Sequence, residues 1–93
     1  VVCGLGNVGY RCVQELIRLG VKVVAIERSA DAAFVPTVRG LGAAVVPGDA
    51  TIPETLAQAR VGTAKAVIAA TASELANLEI ALLVREQNPD QRV

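Results

Sequence analysis

Three glycines at the spacing Gly4-x-Gly6-x-x-Gly9 follow the apolar run Val1-Val2-Cys3 directly and precede a helical pattern. No other feature constrains this chain as much. A strand that turns at once into a helix needs a residue without side-chain clash at the turn, and Gly4 supplies it. Gly6 leaves the main chain open to close approach by a pyrophosphate, and Gly9 lets the helix lie against the strand. The helix that follows begins with unpaired N–H groups and a partial positive charge. The triplet carries weight through its place between strand and helix, since the same spacing elsewhere is weak evidence.

The rest of the chain repeats that alternation. Apolar positions Val8, Cys12, Val13, Leu16, Ile17 and Leu19 fall mostly at helical spacing, and Gly20 ends the helix because it accepts the left-handed conformation. Val21 to Ile26 reads as a strand covered on both faces. A helix within Asp31 to Leu41, capped by Asp31 or Ser29, must start late or kink at Pro36, and Gly40 and Gly42 end it. Ala43 to Val46 is a third strand. Thr51-Ile52-Pro53-Glu54 matches a capping box for a short helix reaching about Arg60, stopped by Gly62. Ala66 to Ala70 is a fourth strand. A long helix to about Gln87 follows, capped by Ser73 or Thr71. Asn88-Pro89 breaks it, and Arg92-Val93 reads as the start of a fifth strand. Strict alternation predicts an α/β fold: a Rossmann-type, doubly wound parallel sheet with strand order 3-2-1-4-(5). With no Met and an opening inside an apolar run, residues 1–93 are expected to be one truncated domain of a longer protein.

Composition removes several function classes. Net charge is zero and no block of like charge occurs, so a phosphate-tracking face for nucleic acid is not expected. The only aromatic residues are Tyr10 and Phe34, too few for a platform that stacks single-stranded bases. No apolar run reaches the roughly 18 residues of a membrane span. With no His and only Cys3 and Cys12, the chain lacks the ligand set of a structural zinc site, and both thiols read as core residues. Tyr10, placed on the helix rather than at a strand end, reads as a packing residue and not an acid.

Ligands of doubly wound sheets bind beyond the C-terminal strand ends, which directs attention to four segments. The first is the glycine loop. Glu27 follows strand 2, eighteen residues after Gly9, close to the ~20 expected of an acid that holds ribose hydroxyls. A carboxylate there repels a 2′-phosphate, whereas the neighbouring Arg28 attracts one; the alternative is that both are solvated loop charges. After strand 3, Asp49 can hydrogen-bond turn N–H groups while Ala50 leaves room for a flat base. An Asx turn without a ligand explains Asp49 equally well. Ala70 and Thr71 end strand 4 opposite the glycine loop, and small residues there let a ribose or nicotinamide lie against the backbone. Glu74 and Asn77, on the first turns of the last helix, could face the site or solvent, and a cap and a surface residue is the favoured reading.

Taken together, Gly4-Leu5-Gly6-Asn7-Val8-Gly9, Glu27-Arg28, Gly48-Asp49-Ala50-Thr51 and Ala69-Ala70-Thr71 leading to Asn77 resemble the RCK, or KTN, family of TrkA-N-like domains, which regulate potassium channels and transporters. The stretch from Leu56 through Val61 and Ala64 to Ile68 is similar as well, so the resemblance covers nearly the whole chain. Gly-Asp-Ala-Thr is its most discriminating element. The resemblance implies a non-catalytic domain on the cytoplasmic side of a membrane potassium channel or transporter subunit, paired into homo-oligomers, in which NAD(H), ATP/ADP or AMP changes the angle between domains. By position, Gly4, Leu5, Gly6, Asn7, Val8 and Gly9 would hold phosphates, Glu27 the adenosine ribose with Arg28 nearby, Asp49 and Ala50 the adenine, and Ala70 and Thr71 the far side. Members that prefer ATP carry an Arg in the glycine loop. The neutral Asn7 stands there instead, which favours NAD(H). The competing reading is the cofactor domain of an NAD-dependent oxidoreductase.

Overall fold

A computed structural model describes residues 1–29 and 32–93. The elements alternate as expected: β1 (Val2–Cys3), α1 (Asn7–Arg18), β2 (Val24–Glu27), α2 (Val35–Gly40), β3 (Ala44–Pro47), α3 (Pro53–Gln58), β4 (Ile68–Ala69) and α4 (Glu74–Gln87). All strand pairings are parallel, in the order β3-β2-β1-β4. Val2 stands beside Ala25 and Ile68, and Cys3 beside Ile26 and Ala69.

Because side chains alternate across a strand, this register sorts the apolar residues into two cores. Val2, Ala25, Val13, Val35 and Val38 lie on the face covered by α1 and α2. Cys3, Ile26, Leu56, Val67, Ile80 and Val84 lie on the face covered by α3 and α4. Each fully buried aliphatic side chain contributes about 1.5–3 kcal/mol. Tyr10 stacks on Phe34 with ring centroids 4.3 Å apart, which gives both aromatics a packing role.

Several local expectations change. Every strand is shorter than, or displaced from, its apolar run, since at the strand ends the ladder thins to single bonds. The short α2 begins late, with Pro36 in its first turn and Phe34 rather than Ser29 at the N-cap; Asp31 lies outside the described residues. Thr51 does not cap α3. That helix starts at Pro53 behind Ile52, and the Thr51 hydroxyl donates to the Asp49 carboxylate at 2.7 Å instead. Nor does Gly62 stop α3. The left-handed residue is Arg60 (φ 60°), where Val61 N–H returns to Leu56 O at 3.3 Å. Ser73 does cap α4, accepting from Ala76 N–H at 3.1 Å. Arg92 and Val93 form no strand. One bond, Val67 N–H to Arg92 O at 2.8 Å, runs along the outer edge of β4. Among the described residues no helix is long and apolar enough to cross a membrane.

Cys3 and Cys12 are free thiols, Cys3 buried and Cys12 half-buried. Burial pushes the Cys3 thiol from its usual 9.0 to about 11. Between those values the unfolded chain has released a proton that the folded chain keeps. The contribution is therefore complete below about pH 9 and falls as pH rises toward 11, by up to about 1.4 kcal/mol per unit. Urea melts across that window should show a steeper loss of stability for the native chain than for Cys3→Ala. Parallel curves would mean that the thiol titrates normally in the fold.

Candidate functional site

The sheet ladder continues past the strands as single bonds that align the four C-terminal ends. Gly4 N–H donates to Ile26 O at 2.8 Å, Gly48 N–H to Glu27 O at 3.0 Å and Ala70 N–H to Cys3 O at 2.9 Å. Beyond them opens a cleft of ≈ 730 Å³, within the size range of small-molecule sites. Gly4, Leu5, Gly6, Glu27, Arg28, Asp49, Ala50, Ala70 and Thr71 all line it. Nine of the twelve positions singled out in the sequence thus converge on one cavity.

The other three sit elsewhere. Asn7 and Val8 are exposed and line a separate depression with Tyr10, Arg11 and Phe34. Gly9 is buried beneath the loop. What these residues can offer a ligand at the cleft is main-chain N–H, since the first turn of a helix has no acceptors of its own. The first main-chain bond into this turn runs from Tyr10 N–H to Gly6 O at 2.9 Å.

The three glycines have different surroundings. Gly4 has φ +97°, and a Cβ there would come within 2.9 Å of Ala70 O. At Gly9 a Cβ would overlap the Gly4 carbonyl oxygen. At Gly6 it would meet nothing within 4 Å. Packing accounts for Gly4 and Gly9; at Gly6 the main chain borders open cleft.

Glu27 bridges two segments. Oε1 accepts from Leu5 N–H and Oε2 from Ser29 N–H, each at 2.9 Å. This fixes the carboxylate against the glycine loop, uses the Leu5 N–H internally, and leaves two of about four lone-pair sites for a ligand. The Leu5 side chain is buried in the core although the residue borders the cleft. Asp49 Oδ1 takes both the Thr51 hydroxyl at 2.7 Å and the Thr51 N–H at 2.9 Å. These bonds, with a smaller attraction from Arg28, hold the Asp49 carboxyl below its usual pKa. The Asx turn is therefore real, and Asp49 still lines the cleft. The Thr71 hydroxyl has its hydrogen committed to Asn77 Oδ1 at 2.6 Å or Ser73 O at 3.1 Å.

Of α4, neither Glu74 nor Asn77 lines this wall. Leu75, Ala76, Glu79 and Ile80 line it, and the pairs Leu75/Glu79 and Ala76/Ile80 recur at the four-residue spacing of one helix face. That spacing was the signal available.

A parallel α/β sheet ordered 3-2-1-4, with helices on both faces and a glycine loop leaving a central strand, places the molecule in the Rossmann-like class. Within that class the chain belongs to the TrkA-N domain family, whose model matches residues 1–93. Over 89 residues it is 36% identical to an uncharacterized protein of Methanothermus fervidus, covering 96% of this chain. Over all 93 residues it is 31% and 32% identical to the glutathione-regulated potassium-efflux system protein KefC of Enterobacter sp. (strain 638) and of Cronobacter sakazakii. The chain spans only 14–15% of the length of these relatives.

Proposed function

We propose that residues 1–93 are the nucleotide-binding half of a regulatory domain that senses NAD(H), or an adenine nucleotide, on the cytoplasmic side of a potassium channel or transporter. In this reading the parent protein forms a homo-oligomer and couples occupancy to gating without catalysing a reaction. The observation that carries the reading is the polarity of the cleft. The glycine loop opens onto it at Gly6, just ahead of the unpaired N–H groups of the first turn of α1, and the Glu27 and Asp49 carboxylates line it as acceptors. A nucleotide is the complement of that arrangement, with acceptors on its phosphates and donors on its ribose and base. The kinship with potassium-efflux proteins supports the transport role.

The Glu27 carboxylate favours NADH over NADPH, whose 2′-phosphate it would repel, and a neutral Asn7 leaves the terminal phosphate of ATP without a loop cation. Calorimetry of the full-length protein with NADH, NADPH, ATP and AMP should rank NADH first. Glu27→Ala should weaken NADH binding by roughly 1–3 kcal/mol, the scale of a lost charged hydrogen bond. Glu27→Gln can keep the bond from Leu5 N–H and separates charge from loop support. Unchanged NADH affinity in both variants would remove Glu27 from the site. Consumption of NADH with any carbonyl substrate would replace the regulatory reading with an oxidoreductase.

A further inference from the structure

The geometry points to Asn77 as a positioning residue for nucleotide binding, one that acts by fixing Thr71 and so the wall facing the glycine loop. This rests on the nucleotide reading of the cleft.

The turn Ala70-Thr71-Ala72 has no large side chain to anchor it in a core, yet it must sit close to the loop after β1. A Cβ on Gly4 would lie 2.9 Å from Ala70 O and 3.0 Å from Thr71 Cα. Ala70 N–H holds one end of the turn to β1, and the Ser73 cap holds the other to α4. Between them, Thr71 is tied at three points to the half-buried Asn77. Asn77 Oδ1 accepts from the Thr71 N–H at 3.0 Å and from its hydroxyl at 2.6 Å, and Asn77 Nδ2 donates to Thr71 O at 3.2 Å. Only a carboxamide offers acceptor and donor together at this reach. A carboxylate would keep both acceptances but has no hydrogen for the carbonyl, and an aliphatic residue keeps none. The separation of the two loops is thus set by the protein before a ligand arrives. Ordering that is already in place is not charged against binding.

The test uses the full-length protein, with NADH calorimetry and deuterium uptake of residues 70–73, well below the melting temperature. Asn77→Ala should bind NADH roughly tenfold more weakly, the scale of ordering one or two side chains on binding. Its turn should exchange faster without ligand and regain protection at saturating NADH. In the unsubstituted protein NADH should alter uptake there little. A residue that merely stabilised the fold would leave the affinity of the folded protein unmoved. Native affinity in Asn77→Ala, or native uptake in its turn, overturns the proposal. Should Asn77→Ala fail to fold, Asn77→Asp serves. It is expected to show the same two changes, with native values in either one overturning the idea. If the unsubstituted protein takes up no nucleotide, the reading of the cleft fails and this proposal with it. If it binds and the variants bind equally, the positioning role alone is wrong.

Discussion

Gly6→Val is expected to weaken NADH binding by roughly ten- to a hundredfold, the ~1.5–3 kcal/mol scale of lost hydrogen bonds to a charged group, while the fold survives. Gly6 sits at φ −78° and ψ −164°, extended backbone that valine adopts readily, and a Cβ there meets no protein atom within 4 Å. Valine is a poorer N-cap than glycine, which costs about 1 kcal/mol or less. The methyls would therefore occupy only the space through which a phosphate reaches the amides of α1. Calorimetry beside a thermal melt separates the two effects. Native affinity in a normally folded Gly6→Val would show that no phosphate approaches this residue.

Gly9→Ala should do the reverse and damage the fold itself. Its methyl would overlap the Gly4 carbonyl oxygen and lie 2.8 Å from the Gly4 carbonyl carbon. Neither partner can yield cheaply. Gly4 is held to Ile26 O at 2.8 Å, and α1 is seated on the core through Val13. Either α1 lifts from the sheet or the end of β1 moves, at a cost of about 3 kcal/mol or more against the ~5–15 kcal/mol that stabilises a typical domain. Urea denaturation should show a large fall in midpoint, with nucleotide binding lost alongside. An unchanged midpoint would mean that α1 packs more loosely on β1 than described.

Most of this architecture was legible because period and punctuation agree. β-branched runs alternate with helical spacing, and glycines or prolines fall between them, so element order and strand order followed. The four strand ends came with it, since a parallel sheet lines them up. Misreadings arose where one polar side chain had two possible partners. Thr51 carries the signature of a helix cap, yet Asp49 two residues earlier offered its hydroxyl a charged acceptor at 2.7 Å. Asn77 read as a surface residue because nothing local reveals that Thr71, six positions back, folds onto it. The stop after α3 moved from Gly62 to Arg60, where Val61 N–H returns to Leu56 O at 3.3 Å, a residue whose type gives no hint of positive φ. Within the glycine loop, spacing alone could not tell which N–H groups remain for a ligand, as Leu5 spends its own on Glu27.

The sheet order has a consequence for how the molecule is made. β1 is a central strand, and one of its neighbours, β4, is synthesised some sixty-six positions later. On a ribosome β1 stays open along one edge until Ile68 and Ala69 emerge. Contacts this distant in sequence slow folding and lengthen exposure of unpaired edges. The glycine loop therefore acquires its opposite wall only after Ile68 to Thr71 have left the exit tunnel, and the ligand proposed for the cleft can be held only from then on.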